Sequence, residues 1–213
     1  MSKETKIIKN DIDWTAIKNE CRTTVNKEGT EKEPSDSFKR KLLISEHSPI
    51  RMGHILFAWD SIKSWVATHF ARHWLGWDKW ISTQRNDRTN TKVDRNKAPQ
   101  DTEVMMHVNS NIQALINVSR FRLCFGASPE TRDKMEDLKI AIKEDADELV
   151  SDVMVPNCIY RMGCPEPTMC DEHFFVKFLN YCKENALPLN TIQQRYDAYN
   201  KMFYELHAEK EVV

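Results

Sequence analysis

Glycine is scarce in this sequence, with five among 213 residues, and no GxGxxG or Walker sequence occurs, so a Rossmann or P-loop nucleotide site has no support. A GxSxG nucleophile elbow is also missing. Excess charge of either sign is lacking: 31 Lys and Arg stand against 32 Asp and Glu, a net charge of -1. That balance gives no bulk attraction to nucleic acid or to an anionic membrane, so any polyanion site must be local. No apolar run approaches the roughly 18 residues of a membrane span, and the N-terminal MSKETKIIKND lacks the apolar segment of a secretory signal. The expectation is a cytoplasmic protein. Six cysteines at irregular spacing read as reduced thiols rather than a disulfide framework. Internal repeats and low-complexity tracts are also missing.

What the sequence does have is an unusual mixture in THFARHWLGWDKWISTQRNDR, residues 68 to 88, where histidines, arginines and three tryptophans crowd together. A solvated helix does not need the tryptophans, and an ordinary core does not want the arginines. Tryptophan burial in a core remains at least as good a reading as stacking on a ligand.

The local pattern predicts a short strand over residues 4 to 9 and then a helix capped by Asp13 with Trp14, Ile17 and Cys21 on one side. After a polar linker, Ser35 or Ser37 caps a second helix that stops by Ser48, before Pro49. IRMGHILFAW reads as a strand, and from about Ser61 the spacing of Ile62, Trp65, Val66 and Phe70 predicts a helix. Residues 84 to 101 are polar and turn-rich, a functional-loop candidate. Asp101 is expected to cap a helix running to about Leu123, with Val104, Val108, Ile112, Leu115 and Ser119 inward, placing His107, Asn111 and Arg122 on one face. Ser128 and Pro129 open a long helix with Met135, Leu138, Ile142, Leu149 and Val153 inward, ended by Pro156. Two more helices follow, around 173 to 184 and from Thr191 onward. The tally is an α+β fold, mostly helical with a small antiparallel or mixed sheet. Residues 1–155 are expected to form the catalytic domain and 156–213 a C-terminal helical extension with a cysteine-containing loop.

Arginine suits phosphate because its planar fork donates two hydrogen bonds and keeps its charge. Arg72, Arg85, Arg88, Arg95 and Arg122 are therefore candidates for a phosphorylated ligand; any one loop arginine alone is better read as solvated or paired with Asp87 or Asp94. His69 and His73 have the four-residue spacing of a zinc pair, but Phe70 stands where a metalloprotease carries its glutamate and no third ligand is evident. Cys158, Cys164 and Cys170 recur at intervals of six with His173 nearby. That spacing is wider than in a zinc ribbon, so free thiols are the simpler reading and a structural metal the alternative. No metal ligand is assigned.

Residues 45 to 132, about 88 of 213, resemble the flavin-dependent thymidylate synthases. That family's signature is RHR, seven residues, then Ser; here RHW at 72 to 74 is followed after seven residues by Ser82. EHSPIR precedes it, similar to the family's EH or HxTP element, and NVSRFRLCFGASPETR follows, similar to its RLCxxAQWEIR block. The resemblance assigns the pyrimidine nucleotide to His69, Arg72, Ser82, Gln84, Arg85, Arg95 and Arg122, with Ser82 and Arg122 at the reacting ring. It assigns the flavin to Ser48, Arg72, His73, Asn111, Gln113 and Asn117. Trp74 departs from the third signature residue, His69 and Gln113 replace a glutamine and an arginine, Arg85 comes one residue late, and Ser128 and Pro129 stand for Gln-Trp. These departures resemble the style of divergent, phage-type members.

The implied activity is methylation of dUMP to dTMP with FAD, NADPH and methylenetetrahydrofolate, in a homotetramer whose sites are shared between subunits. No cysteine nucleophile is implied, and none is assigned to Cys124. Two alternatives stand beside it: a related flavin-dependent hydroxymethylation of a pyrimidine nucleotide, and a non-catalytic nucleic-acid-binding module built on the arginine-rich loop. The near-neutral total charge speaks against the second, and neither a nucleic-acid nor a membrane partner is expected.

Overall fold

The computed structural model describes residues 5–89, 94 and 96–211. Four strands, β1 (Thr5–Asp11), β2 (His54–Lys63), β3 (Trp77–Ile81) and β4 (Glu103–Asn111), form one antiparallel sheet in the order β1-β2-β4-β3. The helices are α1 (Trp14–Thr23), α2 (Asp36–Ile44), α3 (Ser64–Ala71), α4 (Asn86–Thr89), α5 (Ile112–Arg122), α6 (Pro129–Asp145), α7 (Glu148–Asp152), α8 (Asn157–Arg161), α9 (Phe174–Glu184) and α10 (Ile192–Glu211). A 3-10 turn covers Ser48–Met52. Roughly half of the chain is helical, an α+β fold with a small antiparallel sheet.

Alternation sorts the two faces of the sheet. Ile55, Phe57 and Trp59 of β2, Val104, Met106 and Val108 of β4, and Trp77 of β3 turn inward and are buried. They meet Val66, Ala67 and Phe70 of α3 and Ile112, Leu115 and Ile116 of α5 in one core that continues through Met135, Leu138 and Ile142 of α6. On the other face Trp80 and Met105 stand exposed beside the half-buried His107.

The helix expected from Asp101 to Leu123 is instead a strand followed by a helix. Val104, Val108 and Ile112 recur every four residues, and four is a multiple of the strand period as well as close to one helical turn. Met106 and Ser110 are also buried, which selects the period of two. The helix begins only where the Asn111 side chain caps it, its Oδ1 accepting from Ala114 N at 2.8 Å. His107 and Asn111 therefore leave the helical face assigned to them with Arg122. The strand expected at 50 to 59 is shifted to His54–Lys63, because Pro49 starts a 3-10 turn, and the following helix starts at Ser64. The long helix expected through Val153 breaks after Asp145, where Ala146 leaves helical geometry and Asp147 caps α7 by accepting from Val150 N at 3.0 Å. β3 had no counterpart in the sequence reading. Asp13, by contrast, caps α1 with two bonds of 2.9 Å.

Lys139 on α6 is fully buried. Its ammonium donates to Ser151 O at 2.5 Å and lies 5.4 to 5.8 Å from the ring centroids of Phe203, Tyr204 and Tyr199 on α10. This cation–aromatic contact fastens the last helix to α6 and α7. Burial pushes the Lys139 ammonium down to about 7, and Lys143 adds to the shift while Asp152 opposes it.

Gly76 makes the turn into β3 with φ +66°, and a Cβ there would lie 2.2 Å from Asn111 Nδ2. The Asn111 amide cannot swing away without releasing its cap on α5. Gly76→Ala is expected to cost about 2 to 3 kcal/mol, combining left-handed backbone strain with a weakened cap. A lowered urea midpoint at unchanged m value checks it.

Candidate functional site

The end of α3 and the end of α5 converge through one guanidinium. Arg122 Nε donates to His73 Nε2 at 3.0 Å, and Arg122 Nη2 donates to His69 O at 2.8 Å. Lys79 of β3 donates to His73 O at 2.6 Å. The His69 ring turns the other way, its Nδ1 2.9 Å from Thr131 Oγ1, which is itself 2.8 Å from Ser128 Oγ. SPETR at the start of α6 therefore braces α3 from behind, a role that composition alone did not suggest.

The electrostatics of this corner are one-sided. Burial pushes the His73 imidazole down to about 4, with Arg122 and then Lys79 adding to the shift. Burial, Arg122 and Arg72 push His69 down as well, and burial and Arg72 lower Arg122 from its ordinary value. Among the described residues no carboxylate pairs with Arg72, Lys79 or Arg122. Cationic donors around a neutral imidazole, without a counter-charge, make a place for an anion.

His73 and Arg122 open onto a cavity of about 600 Å³ whose walls include Phe121, Phe125, Phe174 and Met169. Such a volume, with apolar walls and a few convergent polar groups, is typical of a small-molecule site. Phe121 is 54% exposed although large and apolar, and its ring centroid lies 6.3 Å from that of His73.

A polar strip leads away from this corner along α5. Gln113, Asn117 and Phe121 follow at four-residue spacing on one helical face. Gln113 Nε2 donates to Glu46 Oε2 at 2.6 Å and, more weakly, to Asn117 Oδ1 at 3.4 Å. Glu46 also forms a charge-assisted pair with Arg120, whose guanidinium lies 3.7 Å from the Tyr160 ring centroid. Ser48, exposed, is two residues from Glu46. The structure thus brings Gln113 and Asn117 onto one strip leading toward His73, with Asn111 capping the same helix.

The remaining sequence-derived positions lie elsewhere. Ser82 extends the β3–β4 ladder, its N donating to Met105 O at 2.9 Å and its Oγ accepting from Met105 N at 2.9 Å. Trp77 and Lys79, not Ser82, are the residues of this segment beside His73, with the Trp77 and His73 ring centroids 6.3 Å apart. Five residues of strand place Ser82 roughly 16 Å further along. Arg85, exposed, forms a two-point pair with Asp87 at 2.6 and 3.0 Å, as the plain loop reading expects. Gln84 is half-buried beside it, and Arg95 lies outside the described residues. Of the three tryptophans, Trp77 is core, whereas Trp74 and Trp80 are 72% and 59% exposed. The His69 and His73 pair is spent on Thr131 and Arg122, and among the described residues no group of three ligands stands ready for a metal.

Sequence reading missed Lys79, Phe121, Glu46 and Arg120. Phe121 was legible as the position four after Asn117; Lys79 was not, because its place depends on β3.

With His73 held below its ordinary 6.5, the unfolded chain takes up a proton between pH 6.5 and about 4 that the folded chain does not. Stability therefore falls as pH falls through that window, and His69 acts in the same direction. Urea midpoints measured across it are expected to drop in the wild type and to drop less in His73→Gln.

No protein-family profile matches the chain, and no curated protein does. Among solved structures it is similar to the UMP/dUMP methylase PolB from Streptomyces cacaoi, determined with 5-Br dUMP bound. The identity is 13% and the TM-score 0.53, over 70% of this chain and 93% of that one. What the two share at that identity is the fold, a small sheet backed by helices.

Proposed function

We propose that the protein methylates dUMP to dTMP, using methylenetetrahydrofolate as one-carbon donor, NADPH as reductant and FAD as resident cofactor. The observation that carries this reading is the corner where Arg122 is held by His73 and His69 O, with Arg72 near and, among the described residues, no carboxylate paired with either. The substrate is a dianionic phosphate carrying an electron-poor pyrimidine, and a preorganised guanidinium is suited to the charge that develops on that ring. PolB is a methylase of UMP and dUMP, which agrees with this choice.

The residues present fit a flavin. Exposed Trp74 and Phe121 offer apolar surface next to exposed Arg72 and Asn117, a combination suited to a large heteroaromatic ring with a phosphate tail. Arg72, His73, Asn117, Gln113 and Ser48 would hold it. A bound flavin supplies the redox chemistry of the reaction. The chain's own part is to fix the pyrimidine, and the C5 proton leaves to solvent as the methyl group replaces it. Arg122 keeps its orientation because two of its nitrogens are already engaged.

Within one chain Ser82, Gln84 and Arg85 are far along β3 from Arg122, so a nucleotide touching both sets requires two chains. The exposed Trp80, Ile81 and Met105 beside Ser82 offer an apolar surface for a second copy. This supports the reading of a homotetramer with shared sites.

Tritium release from 5-tritiated dUMP with all cofactors present tests the activity. A folded, flavin-loaded oligomer that releases none overturns it, and mass spectrometry of the product distinguishes a methyl from a hydroxymethyl group. Arg122→Lys is expected to lower kcat by about 10²- to 10³-fold, because a lysine cannot hold His73 Nε2 and His69 O together in the geometry of the guanidinium fork. Mixing inactive Ser82→Ala and Arg122→Ala chains should restore part of the activity if sites are shared; no recovery in verified mixed oligomers refutes the sharing.

A further inference from the structure

Where α2 ends, the backbone calls for glycine. Glu46 N donates to Leu43 O at 3.2 Å and His47 N to Leu42 O at 3.0 Å, the two bonds that close a helix through one left-handed residue. Glu46 is that residue, with φ +51°. Glycine takes this conformation freely, whereas a Cβ crowds the neighbouring carbonyl, so a glutamate here carries backbone strain. Its side chain accounts for the strain being kept. Half-buried against α5, it holds two residues there, Gln113 and Arg120. The methylation proposed above assigns Glu46 no part.

A carboxylate only accepts hydrogen bonds, so the Gln113 amide must turn its nitrogen to Glu46, and it does, at 2.6 Å. A guanidinium only donates, so the atom that Asn117 turns toward Arg120 Nη1, at 3.4 Å, is its Oδ1. The same Oδ1 takes the second Gln113 amide hydrogen, also at 3.4 Å. Arg120 is itself fixed, paired with Glu46 and stacked 3.7 Å from the Tyr160 ring centroid of α8. Two side-chain amides that could each face either way are thus oriented by two charges that cannot. What remains for a ligand is Gln113 Oε1, an acceptor, and Asn117 Nδ2, a donor. Neither atom has a hydrogen-bond partner among the described residues.

Glu46 and Arg120 cancel one another's charge, so this stretch of α5 suits a neutral edge, in contrast to the cationic corner at Arg72 and Arg122. An acceptor next to a donor complements an imide edge, in which N–H stands beside C=O. Phe121, one turn beyond Asn117 and exposed, offers a ring face on the same side of the helix. The pyrimidine ring of a flavin carries such an edge at N3–H and the carbonyl next to it. Resting on the reading of FAD as resident cofactor, we propose that Glu46 is a positioning residue: through Gln113 and Arg120 it makes α5 present an acceptor at Gln113 and a donor at Asn117 to the imide edge of the flavin.

The test is binding, without turnover. The full chain is titrated with FAD and with N3-methyl-FAD, which has no N3–H, and binding is read from flavin fluorescence polarisation. Wild type should prefer FAD by about tenfold or more, the effect of leaving a positioned acceptor unpaired. Gln113→Leu, which leaves the Glu46–Arg120 pair in place, should bind the two flavins alike. Glu46→Gln should narrow the preference, because an amide at position 46 no longer dictates which way Gln113 faces. Wild type that binds both flavins equally overturns the proposal while leaving the flavin reading intact, and so does a full preference in Gln113→Leu or in Glu46→Gln. Uracil carries the same edge, so dUMP and N3-methyl-dUMP are compared in parallel; a preference abolished by Gln113→Leu for dUMP but not for FAD overturns the assignment to flavin. Wild type that binds neither flavin removes the flavin reading and this role of Glu46 with it.

Discussion

The structure turns on the two hydrogen bonds that Arg122 makes across the gap between α5 and α3, one to an imidazole and one to a helix-terminal carbonyl. The carbonyl bond uses an acceptor that a helix end leaves over in any case. The imidazole bond requires His73 to stay neutral, and burial together with two neighbouring cations ensures that it does. A guanidinium held in this way has lost little of its charge and most of its freedom. Behind it, Thr131 and Ser128 fix His69, so α6 sets the position of a carbonyl it never touches.

A second constraint is the direction of β3. The strand starts beside His73 and carries the chain away from it, so RHW and Ser82, adjacent in sequence terms, end up at opposite ends of a strand. One face of that sheet is closed by helices, and the other carries Trp80 and Met105 into solvent. The residues that resemble a nucleotide site are thus distributed over a surface that one chain alone does not enclose.

Much of the fold was legible because its signals are local. Asp13, Ser35 and the Ser128–Pro129 pair announce helix starts through side chains that satisfy or forgo specific backbone donors, and the structure uses each at a helix start. Residues 101 to 123 misled because spacings of four satisfy helix and strand alike, and the deciding signals, Met106 and Ser110 inward and Asn111 as a cap, become informative only once β2 is alongside. β3 stayed hidden because only Trp77 of its aromatic residues is buried, so the strand shows no clean alternation. At the site, Arg72, His73 and Arg122 were recognisable from residue type and motif. Lys79 and the support from α6 were not, since both depend on contacts between segments far apart in the chain.

The His73–Arg122 bond also decides which way hydrogens point. An imidazole whose Nε2 lone pair is taken by a guanidinium must carry its own hydrogen on Nδ1, so the tautomer is fixed. Arg72, Lys79 and Arg122 likewise present only hydrogens. Together these four side chains make a corner that matches oxygen-rich edges, such as the carbonyls of a uracil ring or a phosphate. A donor-only edge in the same position would meet N–H against N–H, so the corner selects by polarity before shape is consulted.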